Sequence, residues 1–183
     1  MIKHATASVF VFHEFPQGWR LGLVEQPRLR RRMIVGGHVE PDETQAEAAV
    51  REATEESGLQ VRLLACPTPA LPLGYPHERV AAPWWITEVI VPADNHLAEP
   101  HAHIDHQYVA VADSPIPVRE PVHPFDWYSM DQLDGINQLD SLPMFPDTLL
   151  LARALFSHIG SIAVAAERDS AEMLRVLAAS GLS

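Results

Sequence analysis

The chain of 183 residues has a single cysteine, Cys66, so no internal disulfide can form. It has no run of 18 or more apolar residues, which excludes a membrane span read from hydropathy. Its first ten residues, MIKHATASVF, lack the apolar core and small-residue cleavage site of a signal peptide. A cytoplasmic location is the expectation from these absences. Basic residues are also scarce: 13 Lys and Arg stand against 24 Asp and Glu, for a formal net charge of −11. That balance argues against a general nucleic-acid coat and against binding to an anionic membrane. No internal repeat or low-complexity tract occurs. The length fits one domain with a short extension, and a hydrophobic fraction of 47% supplies an ordinary core.

What is present is concentrated in the 23 residues from Gly37 to Leu59, GHVEPDETQAEAAVREATEESGL. Gly37, Glu43, Arg51, Glu52, Glu55, Glu56 and Gly58 form a pattern of residue types at set spacings. A chance match of this kind is on the order of one in a million for a chain this long. The window reads as a helix. Thr44 with Glu47 makes a capping box, Gly58 stands where a left-handed residue ends a helix, and Ala46, Ala49, Val50 and Ala53 have the spacing of a buried stripe. Glu52, Glu55 and Glu56 then cluster on one face near the helix C-terminus. There they repel one another and oppose the macrodipole, each like-charged pair costing a few tenths, about 0.2–0.5 kcal/mol. Arg51 offsets part of this. Bound divalent cations relieve the rest, and hard ions such as Mg²⁺ that take carboxylates together with phosphate oxygens point to a phosphoanhydride substrate.

On these residues the window resembles a complete Nudix box, with Ala53 and Leu59 at its two aliphatic positions. The resemblance implies an α/β fold, an α/β/α sandwich with a central mixed β-sheet, and divalent-metal-dependent hydrolysis of a nucleoside-diphosphate derivative. Mg²⁺ or Mn²⁺ is the implied cofactor. Glu52, Glu55, Glu56 and the Gly37 carbonyl are the implied metal ligands. Arg51 would orient the glutamates, Glu43 would be a support or outer ligand, and one of Glu55 and Glu56 could be the base. A base from a distant loop is the alternative, with Glu99, Glu120 and His123 as candidates. Val35 departs from the proline that many members carry before the glycine pair, a change expected to alter local stiffness. A Nudix-fold module that senses a nucleotide without cleaving it is the alternative function, and the intact acidic set argues against it. A prenyl-diphosphate isomerase would need a catalytic cysteine, for which Cys66 is the one candidate.

Elsewhere the pattern predicts strands over 5–13, 19–25, 33–35, 60–66, 84–91, 103–112 and 125–128, a turn at 130–133 and a helix over 147–158 that starts at Pro146. The order suggests a mixed sheet with helices on its faces. Residues 1–160 are expected to form the domain, and 161–183 a helical extension that packs on the core or forms a homodimer interface. A second helix is expected there at about 170–180, opened by Asp169 and Glu172.

Weaker candidates for substrate contact are Arg30 and Arg32, in the basic run at 28–32, and Trp84 or Trp85, of which one at most could stack on a base. His101, His103 and Asp105 alternate along one strand face, with His106 opposite. A transition-metal site is one reading of that alternation. Because metal chemistry is already supplied by the box, the lining of a substrate pocket, including His103 and Asp105, is the preferred one. The expected partner is a small nucleoside-diphosphate-type molecule.

Overall fold

The computed structural model describes residues 1–94, 97–139 and 142–168. The expected second tail helix lies outside them. The strands are β1 (Lys3–Phe15), β2 (Gly18–Gln26), β3 (Arg31–Met33), β4 (Val35–His38), β5 (Val61–Leu63), β6 (Trp85–Val91), β7 (His101–Ala112) and β8 (Phe125–Tyr128). The helices are α1 (Gln45–Ser57), α2 (Met130–Leu139), α3 (Pro146–Phe156) and α4 (Ile159–Arg168), with a bend of 60° between α3 and α4. Among the described residues no single helix is long and apolar enough to cross a membrane.

One mixed sheet runs in the order β3-β2-β1-β7-β5, with β4 on β1, β6 on β7 and β8 on β2. The central pair β1 and β7 is parallel, and the other pairings are antiparallel. Strand alternation divides the core into two layers. Val9 and Val11 of β1 pack with Ala48, Ala49, Ala53 and Leu59 on the α1 side. Phe10 and Phe12 pack with Leu133, Leu149, Leu155 and Ile159 on the α2–α4 side. This is the three-layer α/β/α sandwich that the resemblance implies. Ile159 and Ala163 are buried in the second layer, so α4 is held on the core through at least that point.

Three local readings change. The expected strand at 33–35 is two short strands with different partners: Met33 pairs with Val24 of β2, and Val35 pairs with Val9 of β1. The edge of β1 that faces them is shared. β2 covers it only from Phe12 to Phe15, which leaves Thr6 to Val9 open for β4. The turn expected at 130–133 is the first turn of the ten-residue α2. Its signal is a capping box: the Ser129 N–H donates to Gln132 Oε1 (2.8 Å), and the Gln132 N–H donates to Ser129 Oγ (3.3 Å). The expected strand at 60–66 shortens to Val61–Leu63, with one further backbone bond from the Leu64 N–H to the Val109 carbonyl (2.7 Å).

Helix α1 has the expected caps. Thr44 and Glu47 bond reciprocally, and Gly58 closes the helix at φ 71°, its N–H donating to the Thr54 carbonyl. The buried stripe is rotated from the expected one. Ala48, Ala49, Ala53 and Ser57 are buried, while Ala46 and Val50 are only half-buried. The rotation tips Glu52 and Glu56 toward the sheet. A side chain at Gly58 would be strained by its φ, and a Cβ there would collide with the Arg119 carbonyl and meet Pro117 Cβ at 3.0 Å. Gly58→Ala is expected to cost about 2 kcal/mol or more, read as a lowered urea midpoint at an unchanged slope.

Candidate active site

The box residues meet where the C-terminal half of α1 lies against β4. Glycine at position 37 is what lets the two elements come this close, and glycine at position 36 lets β4 lie against β1. A Cβ on Gly37 would strike the Glu52 carboxylate, with its Cδ at 2.6 Å, and a Cβ on Gly36 would lie 2.6 Å from the Ala7 carbonyl. Val35 before them is fully buried opposite Val9, so the position expected to affect stiffness carries a core residue of a paired strand.

Arg51 organises the acids. Its Nε and Nη2 donate to the two oxygens of Glu43 (3.0 and 2.7 Å). Its Nη1 donates to Glu52 Oε1 (2.8 Å) and Glu55 Oε2 (3.1 Å), and its Nη2 also donates to the His38 carbonyl (3.0 Å). The two-pronged pairing with Glu43 is the geometry a guanidinium favours, and it aims the remaining donors at the glutamates. It holds the Glu43 carboxyl below the ordinary carboxylate range and pushes Arg51 up. Glu43 is thus the support that orients Arg51.

Glu56 does not contact Arg51. Its Oε2 accepts the Gly36 N–H (3.0 Å). Burial pushes the Glu56 carboxyl up to about 7; the Gly36 N–H opposes this, and Glu52 and Glu55 reinforce it. Burial also raises Glu52, against the pull of Arg51. Glu55 stays on the solvent side of the cluster. Three carboxylates therefore share one guanidinium, and the fourth, Glu56, has no cationic partner and holds its proton close to neutral pH. A hard divalent cation fits this donor set, because it supplies the missing positive charge and the oxygen-rich, half-buried surroundings suit it. Glu52, Glu55, Glu56 and the Gly37 carbonyl would hold the ion.

The weaker candidates have other partners. Arg30 is exposed in the 27–30 turn at φ 49°. Arg32 donates to Glu25 (3.2 Å) and to the Leu142 carbonyl (3.1 Å) and lies over the Tyr128 ring. Trp84 donates its Nε1 to the Leu64 carbonyl (3.1 Å) and packs on the core, and Trp85 packs edge-on against Phe10. Asp105 is buried and accepts from Thr6 and Ser8 (both 2.9 Å) and from Gln107 (3.1 Å). His103 lies instead beside His101, His38 and Asp94. Burial first, then the neighbouring His101, lowers its pKa. His38 and Asp94 are absent from the sequence-based candidates, because they come from segments far apart in the chain and no spacing links them. Among the described residues, no contact joins the side chains of Glu99, Glu120 or His123 to the carboxylate cluster, and His123 lies against Gln26 (3.5 Å).

The raised carboxyls predict a pH effect on the metal-free protein. Unfolded Glu56 ionises near pH 4.5, whereas folded Glu56 keeps its proton to about pH 7. The folded state thus binds more protons across that window, and stability falls as pH rises through it. In chelator the melting temperature should drop from about pH 5 to about pH 8, and Glu56→Gln should flatten the slope.

The comparisons with known proteins bear on the fold and the family. A search of the curated proteins found no match to the chain. Among solved structures, the chain is similar to a hydrolase of the Nudix family from Clostridium perfringens, with 23% identity over 87% of this chain and 99% of that one and a TM-score of 0.62. It is also similar to the binary complex of an Ap4A hydrolase from C. elegans, with 16% identity, 86% and 98% coverage and a TM-score of 0.57. A Nudix hydrolase from Nitrosomonas europaea matches at 17% identity, 87% and 90% coverage and a TM-score of 0.51. At these identities the likeness shows the fold. The NUDIX domain model matches residues 3–148, most of the chain and all of the box, and the protein belongs to the Nudix family.

Proposed function

We propose that the protein is a divalent-metal-dependent hydrolase that cleaves a phosphoanhydride bond in a nucleotide or nucleoside-diphosphate derivative. The observation that carries this reading is the cluster of Glu43, Glu52 and Glu55 around Arg51, with Glu56 beside them on the Gly36 N–H. Family membership and the hydrolase relatives support it. The similarity to an Ap4A hydrolase makes dinucleoside polyphosphates one substrate class to test, beside nucleoside triphosphates and sugar nucleotides.

When bound, Mg²⁺ or Mn²⁺ would neutralise phosphate charge and lower the pKa of a water ligand. The chain's own part is positional. Glu43 fixes the Arg51 guanidinium, which in turn holds Glu52 and Glu55 in one orientation. The Gly36 N–H holds Glu56 at the helix–strand seam. In the metal-free protein burial raises the Glu56 carboxyl to about 7, so binding of a cation there is coupled to loss of its proton. Glu55 is the most solvent-open acid of the cluster.

The test is a hydrolysis screen over these compounds with Mg²⁺ or Mn²⁺, with products identified by mass. Glu55→Gln and Glu56→Gln should each lower turnover by about 100-fold or more while leaving the fold intact by circular dichroism. Near-wild-type turnover in both variants would overturn the assignment of the site. Nucleotide binding without any metal-dependent product would favour a sensor instead. Because Glu56 must shed its proton to act as a full ligand, Mn²⁺ affinity should rise with pH up to about 7, and calorimetry in buffers of different ionisation enthalpy should show proton release.

A further inference from the structure

On the sheet face opposite α1, His38 at the end of β4, His101 and His103 at the start of β7, and Asp94 in the β6–β7 loop bring their donor atoms within 4.8 Å of one another. The register explains the meeting. Thr6 pairs with both His38 and Asp105, and His4 pairs with His103, so the end of β4 and the start of β7 flank the same stretch of β1. We propose that these four side chains form a second metal site, distinct from the carboxylate cluster, that takes a tetrahedral borderline-soft ion of the zinc type.

Three observations carry this. The first is donor chemistry: three imidazoles and one carboxylate are a nitrogen-rich set that suits zinc, whereas Mg²⁺ prefers oxygen. The second is geometry. Ligands bound at 2.0–2.1 Å around a tetrahedral ion stand about 3.3–3.4 Å apart. His101 Nε2 lies 3.1 Å from His103 Nε2 and 3.4 Å from Asp94 Oδ2, and His103 Nε2 lies 3.9 Å from Asp94 Oδ2. The third is the outer support. His101 is fully buried, and its Nδ1 points at the Glu99 carbonyl (3.0 Å), so in the neutral ring Nδ1 carries the proton and Nε2 turns a lone pair toward the centre. Asp94 Oδ1 accepts the Leu97 N–H (3.0 Å), which fixes the carboxylate with Oδ2 on the histidine side.

Four protein ligands close a tetrahedral shell, so the role is structural. The ion would tie β4, β7 and the β6–β7 loop together. Its anchor His38 follows Gly37 directly and offers its carbonyl to Arg51, so the same ion would steady the strand on which the box acids lean.

The test uses the full chain, stripped with chelator and titrated with Zn²⁺ in excess Mg²⁺, which occupies the carboxylates. One tightly held equivalent of zinc, an intense tetrahedral Co²⁺ spectrum and a zinc-dependent rise in melting temperature are expected. His103→Gln and Asp94→Asn, both at partly exposed positions, should each weaken Zn²⁺ binding by about 100-fold or more and abolish the rise. Glu56→Gln and Cys66→Ser should keep it. No stoichiometric zinc in the wild type, a weak octahedral Co²⁺ spectrum, or zinc lost in Glu56→Gln but kept in His103→Gln would overturn the site. The wild-type stoichiometry and spectrum decide the matter even where a variant fails to fold. None of these readouts depends on hydrolysis, so the site and the proposed activity stand or fall separately.

Discussion

The close approach of α1 to β4 is the constraint on which the rest depends. Glycine at 37 removes the side chain that would strike Glu52, glycine at 36 lets β4 lie against β1, and alanine at 48, 49 and 53 keeps the facing side of the helix small. With both surfaces pared down, Glu52 and Glu56 are drawn into the seam and lose much of their hydration. Their ionised forms become costly, and the cluster then depends on whatever positive charge can reach it. Arg51 meets part of that need and is itself held by Glu43. Neither a looser helix nor a larger residue at Gly37 would produce the same electrostatics from the same acids.

The sheet serves the two faces differently. On the α1 side it presents small and β-branched residues, which suits a helix lying close. On the other it presents Phe10 and Phe12 to α2, α3 and α4. At the β4 end of that second face the large apolar residues give way to His4, Thr6 and Ser8, and the polar chemistry concentrates there: Asp105 tied to two hydroxyls, and the histidines around Asp94. His38 links the regions, with its side chain on one face and its carbonyl bonded to Arg51 of the helix on the other.

Much of this was legible locally. The caps of α1 are short-range hydrogen bonds between residues three apart, so Thr44, Glu47 and Gly58 announce the helix ends unaided. Pro146 marks the start of α3 equally locally, because its fixed φ suits the first helical turn and its missing N–H is not needed there. The Ser129–Gln132 box of α2 was equally local, but the weakly patterned segment behind it reads as a turn. The split of β3 from β4 was not legible, because it depends on how much of the edge of β1 is left open by β2, a matter of pairing between distant segments. The substrate candidates show the same division. Arg32, Trp84 and Asp105 have residue types that suit ligand contact, yet each is engaged by a partner remote in sequence: Leu142, Leu64 and Thr6.

By itself the sequence determined the helix and the acids it carries, because periodicity, capping and box spacing are all written within a few turns of chain, and the family resemblance carried by the box implied the three-layer fold. Only the tertiary structure decided what those acids feel and what the histidines do. Glu56 is raised by burial that arises when α1 meets β4, and Glu43 becomes a support because Arg51 folds back onto it. The HAHID alternation shows that His101 and His103 share a face. It takes strand pairing across β1 to bring His38, and the turn after β6 to bring Asp94, since donor geometry is a property of space and spacing along a chain does not encode it.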